Sequence, residues 1–496
     1  MTAPAAASTD AGHEPGGYRE LIALSLPLVL SSSFATVQIF IDRIFISRVG
    51  IEATAAAMPA VAYFWTPFAL LFFTVMYATV FVAQYAGANR PRRIGPVVWQ
   101  ALYFGLAAGL LFPLLIPAVD AFIAGTAHAP GVQRLEALYF RGLCLAALPM
   151  LAVGAVTGFF AGRGKSWTVL LINSVGSAVN AALAYPLIAL QAHDPERAMF
   201  GAGLAAALGS AAAAVFGLGL MFRKQYREEF ATLSGWRFDA PLFGRFLKYG
   251  LPNGLQWMIE GLAFTAFILI VGKMGPEVGA ATTLTLSLNM LTFLPVMGLG
   301  QGVEVLVGRR QGEKNPDLSA KTTWTGAKLA VGYMVLVGLV YGLFPGFLTL
   351  PFAAEMKPEE WAAVAPLVPM LLRFVAAYSI TDGLNIILAY ALRGAGDTRF
   401  VVLVAIALSW PLMVIPTYFV YQSGLGVEWA WASATLYLAA TAGVYVWRFV
   451  GGKWRTMTVI EAAVDLPDSE AESSKSQMPN PKQAPIVNDQ EPKLPV

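Results

Sequence analysis

The chain has 496 residues, of which 57% are hydrophobic and only 13% charged. Soluble domains carry about a quarter charged residues, so this composition excludes one and points to an integral membrane protein, as does a mean hydropathy of +0.61. The net charge of +3 is small, and no nucleic-acid partner is expected. Cys144 is the lone cysteine, which excludes an internal disulfide and a cysteine metal cluster, and His13, His128 and His193 lie too far apart to suggest a histidine metal site.

The first residues, MTAPAAASTDAGHEPGG, have no basic n-region and no apolar stretch, so they are not a signal peptide. They read as a disordered tail over 1–18. Apolar runs long enough to span a bilayer follow at about 21–47, 53–86, 96–118, 136–160, 167–190, 202–222, 246–271, 278–308, 322–349, 363–391, 399–420 and 427–449. That predicts an all-α membrane fold of about twelve helices. Pro27, Pro67, Pro113, Pro149, Pro252, Pro295 and Pro411 fall inside these runs, which membrane helices tolerate where neighbours satisfy the freed carbonyls. Gly105/Gly109, Gly154/Gly158 and Gly298/Gly302 have the small-xxx-small spacing that suits close helix packing.

Basic residues cluster in alternate loops. Arg90, Arg92 and Arg93 follow the second run, and Arg163 and Lys165 the fourth. Arg223, Lys224, Arg227, Arg237, Arg245 and Lys248 surround the loop before the seventh. Arg309, Arg310, Lys314 and Lys321 follow the eighth, Arg393 and Arg399 bracket the next such turn, and Arg448, Lys453 and Arg455 follow the last. The other loops, such as HDPER at 193–197 and EMKPEE at 355–360, are acid-balanced. Positive loops stay cytoplasmic, so both termini are expected there, in a plasma (inner) membrane, with the basic rim beside anionic lipid. The polar stretch from about Glu461 to Val496 cannot bury a core.

The chain repeats itself. Leu26-Pro27 and Gly50 recur as Leu251-Pro252 and Gly275, offset by 225 (251 − 26; 275 − 50). YAGANR around Gly87 answers RQGEKN around Gly312. Gly162, Gly164 and Ser166 answer Gly394, Gly396 and Thr398. The expected organisation is a lobe over 19–225, a cytoplasmic linker over 226–245, a lobe over 246–450 and a disordered tail over 451–496. Two six-helix halves of equal orientation imply a pseudo-twofold along the membrane normal with a site between them. Monomer is the default.

Few acids interrupt the runs: Asp42, Glu260, Glu304 and Asp382. Intramembrane acids are functional candidates by default. Gln38, Gln256 and Tyr378 each precede one of them by four residues, on the same helix face. Asn385 lies one turn beyond Asp382. Carboxylates with neutral oxygens suit a hard cation such as Na+, and a desolvated carboxylate can carry a proton instead. The plainer alternative for each acid is a structural ion pair. For Asp42 the partner would be the adjacent Arg43; for Glu304 it is expected to be Arg309 or Arg310 at the inner rim. Asn173 and Asn180 share a face of the fifth run, as substrate contacts or helix glue. Trp257, Phe264 and Phe267 offer rings to an organic cation or to the core. AGRGKS at 161–166 ends like a phosphate loop but has Phe159 where the first glycine belongs.

The stretches LSLPLVLSSSFATVQIFIDRIFISRVG, VAQYAGAN, NSVGSAVNAALAYPLI, VGRRQGEKNP and AAYSITDGLNIILAYALRGAGDT, with the LP–E pattern of the seventh run, resemble the multidrug and toxic compound extrusion (MATE) family, closest to its NorM-like branch. The similarity runs over about 19–450. It implies a cation-coupled antiporter that exports small organic cations or amphiphiles in exchange for Na+ or H+, with no other cofactor. The family's cation site falls on Glu260, Asp382 and Tyr378, where Na+ would bind, and its substrate- or proton-linked residues on Asp42 and Asn180. Asn289 matches an eighth-run polar position, while Thr285 replaces the family's glutamine. Arg43 replaces a small polar residue and Ala184, before Tyr185, an acid; both departures favour coupling through the C-terminal half. A lipid-linked precursor flippase of the same superfamily is the alternative; it would need a cationic cavity. An intramembrane enzyme would need a nucleophile–base pair, and none is visible.

Overall fold

The computed structural model describes residues 14–355 and 358–462. Most of the N-terminal tail, residues 356–357 of the EMKPEE loop and the C-terminal tail from 463 lie outside the described residues. One unit extends to Val459, and residues 460–462 begin another.

Twelve long helices carry the fold: α1 Tyr18–Val49, α2 Ile51–Gly87, α3 Pro91–Ala124, α4 Pro130–Ala161, α5 Ser166–Gln191, α6 Pro195–Met221, α7 Ala240–Gly272, α8 Pro276–Gly312, α9 Pro316–Leu343, α10 Leu367–Ala395, α11 Thr398–Gln422 and α12 Val427–Val450. Ten are long and apolar enough to cross a membrane, and α8, bent by 40° between Met290 and Thr292, is an eleventh. Pro295 accounts for the bend, because its ring displaces the hydrogen bond that residue 291 would accept. The twelfth, α12, has 24 residues, enough to span. Trp429, Trp431, Tyr437, Tyr445 and Trp447 lower its hydropathy. Pro411 sits in a π-helical turn, Trp410–Val414, inside α11.

The helices pack as two bundles. In the first, α4 packs on α2 and α6, and α5 on α1 and α6; in the second, α10 packs on α8 and α12, and α7 on α11. The bundles meet through α1 on α8 and α2 on α7, which are equivalent pairs under the repeat. The backbone carries the repeat too. Gly50 (φ 149°) and Gly275 (φ 151°) each begin the next helix in a conformation open almost only to glycine. Asn89 (φ 54°) and Lys314 (φ 57°) end α2 and α8 alike, and Gly164 (φ 75°) answers Gly396 (φ 104°).

The expected glycine pairs lie at helix crossings, close at Gly109, Gly298 and Gly302 and looser at Gly105, Gly154 and Gly158. Gly105 and Gly109 face α4, Gly154 and Gly158 face α2, and Gly298 and Gly302 lie against Val29 and Ser25 of α1. Where the repeat axis passes between α2 and α8, Gly87 abuts the Arg309 carbonyl and Gly312 the Gln84 carbonyl, too close for any Cβ. Around them Arg310 pairs with Glu20 at 2.6 Å. The fully buried Gln84 accepts from Thr458 Oγ1 and the Val459 amide, each at 2.9 Å. The chain thus packs past Val450, with Trp454 buried, although the tail was expected from 451. All of these contacts lie in the half that carries the termini. In the other half, Phe40 and Met290 are each 63% exposed.

Gly87→Leu is therefore expected to wedge the bundles apart at the end that carries the termini. A cysteine replacing the buried Ala83, in a Cys144→Ala background, should then react with a maleimide at least about tenfold faster, a shift of roughly 1.4 kcal/mol. An unchanged rate would show that the backbone absorbs the leucine.

The linker between bundles is less irregular than its composition suggests. It holds a short helix, Lys224–Phe230, and α7 begins at Ala240, six residues before the apolar run. Arg163, from the sequence that imitates a phosphate loop, pins that short helix. Its guanidinium lies 4.5, 4.6 and 3.8 Å from the ring centres of Phe159, Tyr226 and Phe230, a cation–π cage.

Candidate cation site

The central acids lie on two helices of the second bundle. Glu260 on α7 is half-buried, and Asp382 on α10 is 8% exposed. Glu260 lies within electrostatic reach of Asp382, and Arg393 within electrostatic reach of Glu260. Tyr378, one turn before Asp382, is buried beside it. Gln256, one turn before Glu260, donates its amide N–H to Glu260 Oε1 at 3.3 Å. Among the described residues, no arginine or lysine forms an ion pair with Glu260 or Asp382. Asn385 Oδ1 is buried without a hydrogen-bond partner. Carboxylates, a phenol and an amide oxygen are the ligand types that suit a small hard cation. Tyr437 of α12, which sequence analysis did not single out, lies within electrostatic reach of both acids.

A second polar cluster lies in the first bundle. Asp42 sits beside Asn180, but Asp42 Oδ1 and both polar atoms of the fully buried Asn180 lack hydrogen-bond partners among the described residues. A buried amide in that state costs folding energy. Arg43 does not neutralise Asp42: its guanidinium donates to Met58 Sδ at 2.7 Å and is exposed. Asn173, by contrast, donates to Ser31 Oγ at 2.7 Å and ties α5 to α1. Gln38 and Asn289 are partly exposed on α1 and α8, apart from both clusters' hydrogen bonds.

Two expectations need correction. Glu304 does not pair with Arg309 or Arg310. Arg309 reaches Glu313 at 3.2 Å, and Arg310 reaches Glu20 at 2.6 Å. Glu304 instead faces Arg393, at 3.5 Å. Arg393 itself is not a rim residue but 2% exposed, in the last turn of α10. Its guanidinium donates to Gln256 Oε1 at 3.1 Å and lies 4.0 Å from the Tyr390 ring centre and 5.5 Å from that of Trp257. Trp257 in turn stacks on Phe73 of the first bundle, 4.3 Å between centres. Phe267 is core, packed edge-on against Trp431. A cavity of about 50 Å³ lies here between the bundles, lined by Tyr77, Thr79, Asn253, Gln301, Glu304 and Arg393 among others. Asn253 Oδ1 and Thr79 Oγ1 lack protein partners, as in a cavity able to hold water.

The chain is similar in sequence and fold to known proteins. The MatE family model matches residues 27–186 and 252–419, one stretch in each bundle. A protein called probable multidrug resistance protein NorM from Xanthomonas campestris pv. campestris is 28% identical over 441 residues, 86% of this chain and 92% of its own length. One of the same name from Brucella suis biovar 1 is 26% identical over 444 residues, 87% and 93% of the two chains. A solved structure described as the outward-facing conformation of a multidrug resistance MATE family transporter of the MOP superfamily superposes with a TM-score of 0.81. It is 19% identical and covers 90% of this chain and 98% of its own, a likeness of fold.

Proposed function

The chain belongs to the MatE family of membrane transporters, and on that premise we propose a secondary antiporter. It exports amphipathic cationic organic compounds and takes in Na+ or H+ at Glu260, Asp382 and Tyr378. The observation that carries this reading is that two intramembrane acids, on α7 and α10, form no ion pair with an arginine or lysine among the described residues. Tyr437 is a further oxygen for the same cation. Asp42 and Asn180, with their unmet hydrogen bonds, form a second polar station for the substrate or a proton. Gln38, Asn289 and Asn385 line the path between states.

The basic loops support termini on the cytoplasmic side, and the membrane is taken to be the plasma (inner) membrane. The contacts that close the terminal half then seal the cytoplasmic side. Cation binding favours one state and substrate the other, and the bundles rock between them. Each entering Na+ gains about 2.3 kcal/mol per 100 mV of potential. The protein acts as a monomer among anionic lipids.

The flippase reading is not favoured. It needs basic side chains available to a diphosphate, and the one buried in the central cavity, Arg393, is committed to Glu304 and Gln256. Proteoliposomes loaded with a fluorescent dye cation test the choice. Dye efflux at least about tenfold faster under an inward Na+ or H+ gradient is expected. Gradient-independent movement of a lipid head group, with no dye efflux, would contradict it.

A further inference from the structure

Arg393 is held from three sides by residues of both bundles. Its guanidinium donates to Gln256 Oε1 at 3.1 Å, while Gln256 Nε2 donates to Glu260 Oε1 at 3.3 Å. One amide does both only in one orientation, oxygen toward the guanidinium and nitrogen toward the carboxylate. Glu304 faces the guanidinium at 3.5 Å. The backbone is held from the first bundle. The Tyr77 hydroxyl donates to the Arg393 carbonyl at 2.8 Å, and Gln84 Nε2 to the Gly394 carbonyl at 3.0 Å. α10 ends at Ala395, where the Gly396 amide bonds back to the Arg393 carbonyl at 2.9 Å, while the Gly394 carbonyl faces no amide of a further helical turn. The other bundle adds a second donor to the first and supplies the donor to the second, from two buried residues of the closure that Gly87 and Gly312 permit.

We propose that Gln256 and Arg393 transmit cation occupancy at Glu260 to the Tyr77 and Gln84 contacts that close the bundles at the end carrying the termini. The inference rests on the cation-site reading above. A cation at Glu260 takes over the carboxylate oxygen that Gln256 now satisfies. The released amide turns, its oxygen leaves the guanidinium, and Arg393 draws toward Glu304. The last turn of α10 moves with the side chain, and the bonds from Tyr77 and Gln84 across the bundles break, while the Gly396 amide keeps its bond within the turn. That turn is the two-state element such coupling requires, biased by the cation on one side and by the closure on the other. Arg393 is thus a positioning residue: it touches neither cation nor substrate.

The test uses the full chain in lipid nanodiscs, in a Cys144→Ala background, with spin labels on Arg92→Cys and Lys314→Cys. These two residues are exposed, one on each bundle at that end. Two quantities are read: 22Na+ binding, and the shift of the inter-label distances on adding Na+. The labelled background is expected to bind Na+ in a Glu260-dependent way and to shift. Tyr77→Phe, which loses one hydroxyl, and Arg393→Gln are each expected to keep Na+ affinity within about tenfold, inside the usual range of a coupling, and to lose at least about half of the shift. Two variants keep the test decisive if one fails to fold. A full Na+-induced shift in both overturns the transmission. Loss of Na+ binding along with the shift also overturns it, because both residues would then belong to the binding site. No Na+ binding by the background overturns this inference and leaves the site to H+ alone, whereas Na+ binding that survives Glu260→Gln removes Glu260 from the cation site and the inference with it.

Discussion

Glu260→Gln and Asp382→Asn are each expected to slow cation-driven export at least about tenfold, with membrane insertion and helix content unchanged. A tenfold loss is roughly 1.4 kcal/mol of driving interaction, a small fraction of what a cation gains from two carboxylates. Both substitutions keep shape and hydrogen bonding, so packing is not their target. Glu260→Gln retains an oxygen for the Gln256 amide, which now bonds Glu260 Oε1 at 3.3 Å. What each removes is charge, and only a charge-dependent step responds. Both acids are assigned to one cation site, so the double variant should be no worse than the more severe single one. Measured in proteoliposomes as dye efflux per transporter, unchanged export in both single variants would take these residues out of the mechanism.

The second large effect falls on stability. Arg393→Leu leaves Glu304 in the protein interior without the guanidinium that now faces it at 3.5 Å, and Glu304→Leu strands the guanidinium in turn. Removing one partner of a buried pair costs about 3–5 kcal/mol, while replacing both by apolar groups is often neutral. The double variant is therefore expected to melt well above either single variant, a coupling of at least about 2 kcal/mol, read from thermal unfolding of the purified protein in detergent. Additive losses would mean that Glu304 and Arg393 are stabilised separately, Arg393 by Gln256 and the rings of Tyr390 and Trp257.

Those two predictions differ in how far the sequence anticipates them. Glu260, Tyr378 and Asp382 are legible because a carboxylate in a long apolar run is costly wherever it faces lipid, and helical spacing puts a polar neighbour one turn away. The repeat is equally legible, since Gly50 and Gly275 are held by the same backbone conformation. Arg393 is not legible. It falls where an apolar run ends, and the alternation of basic loops assigns such an arginine to the rim. Its partner Glu304 lies on another helix, and neither residue carries a mark of burial. Glu304 was misassigned for the same reason: Arg309 and Arg310 are near in sequence, but α8 turns them toward Glu313 and Glu20. Tyr437 escaped notice because α12 is rich in aromatic residues and nothing in their spacing separates one from the rest.

Exchange is the central claim, and exchange is reciprocal: a cation that drives substrate out must be drawn in by substrate leaving. The most direct measurement loads proteoliposomes with dye, imposes no ion gradient, and follows 22Na+ or pH as the dye runs down its own gradient. The account predicts cation movement opposite to the dye, abolished in Glu260→Gln. Dye leaving at full rate with no countermovement of either ion would contradict it.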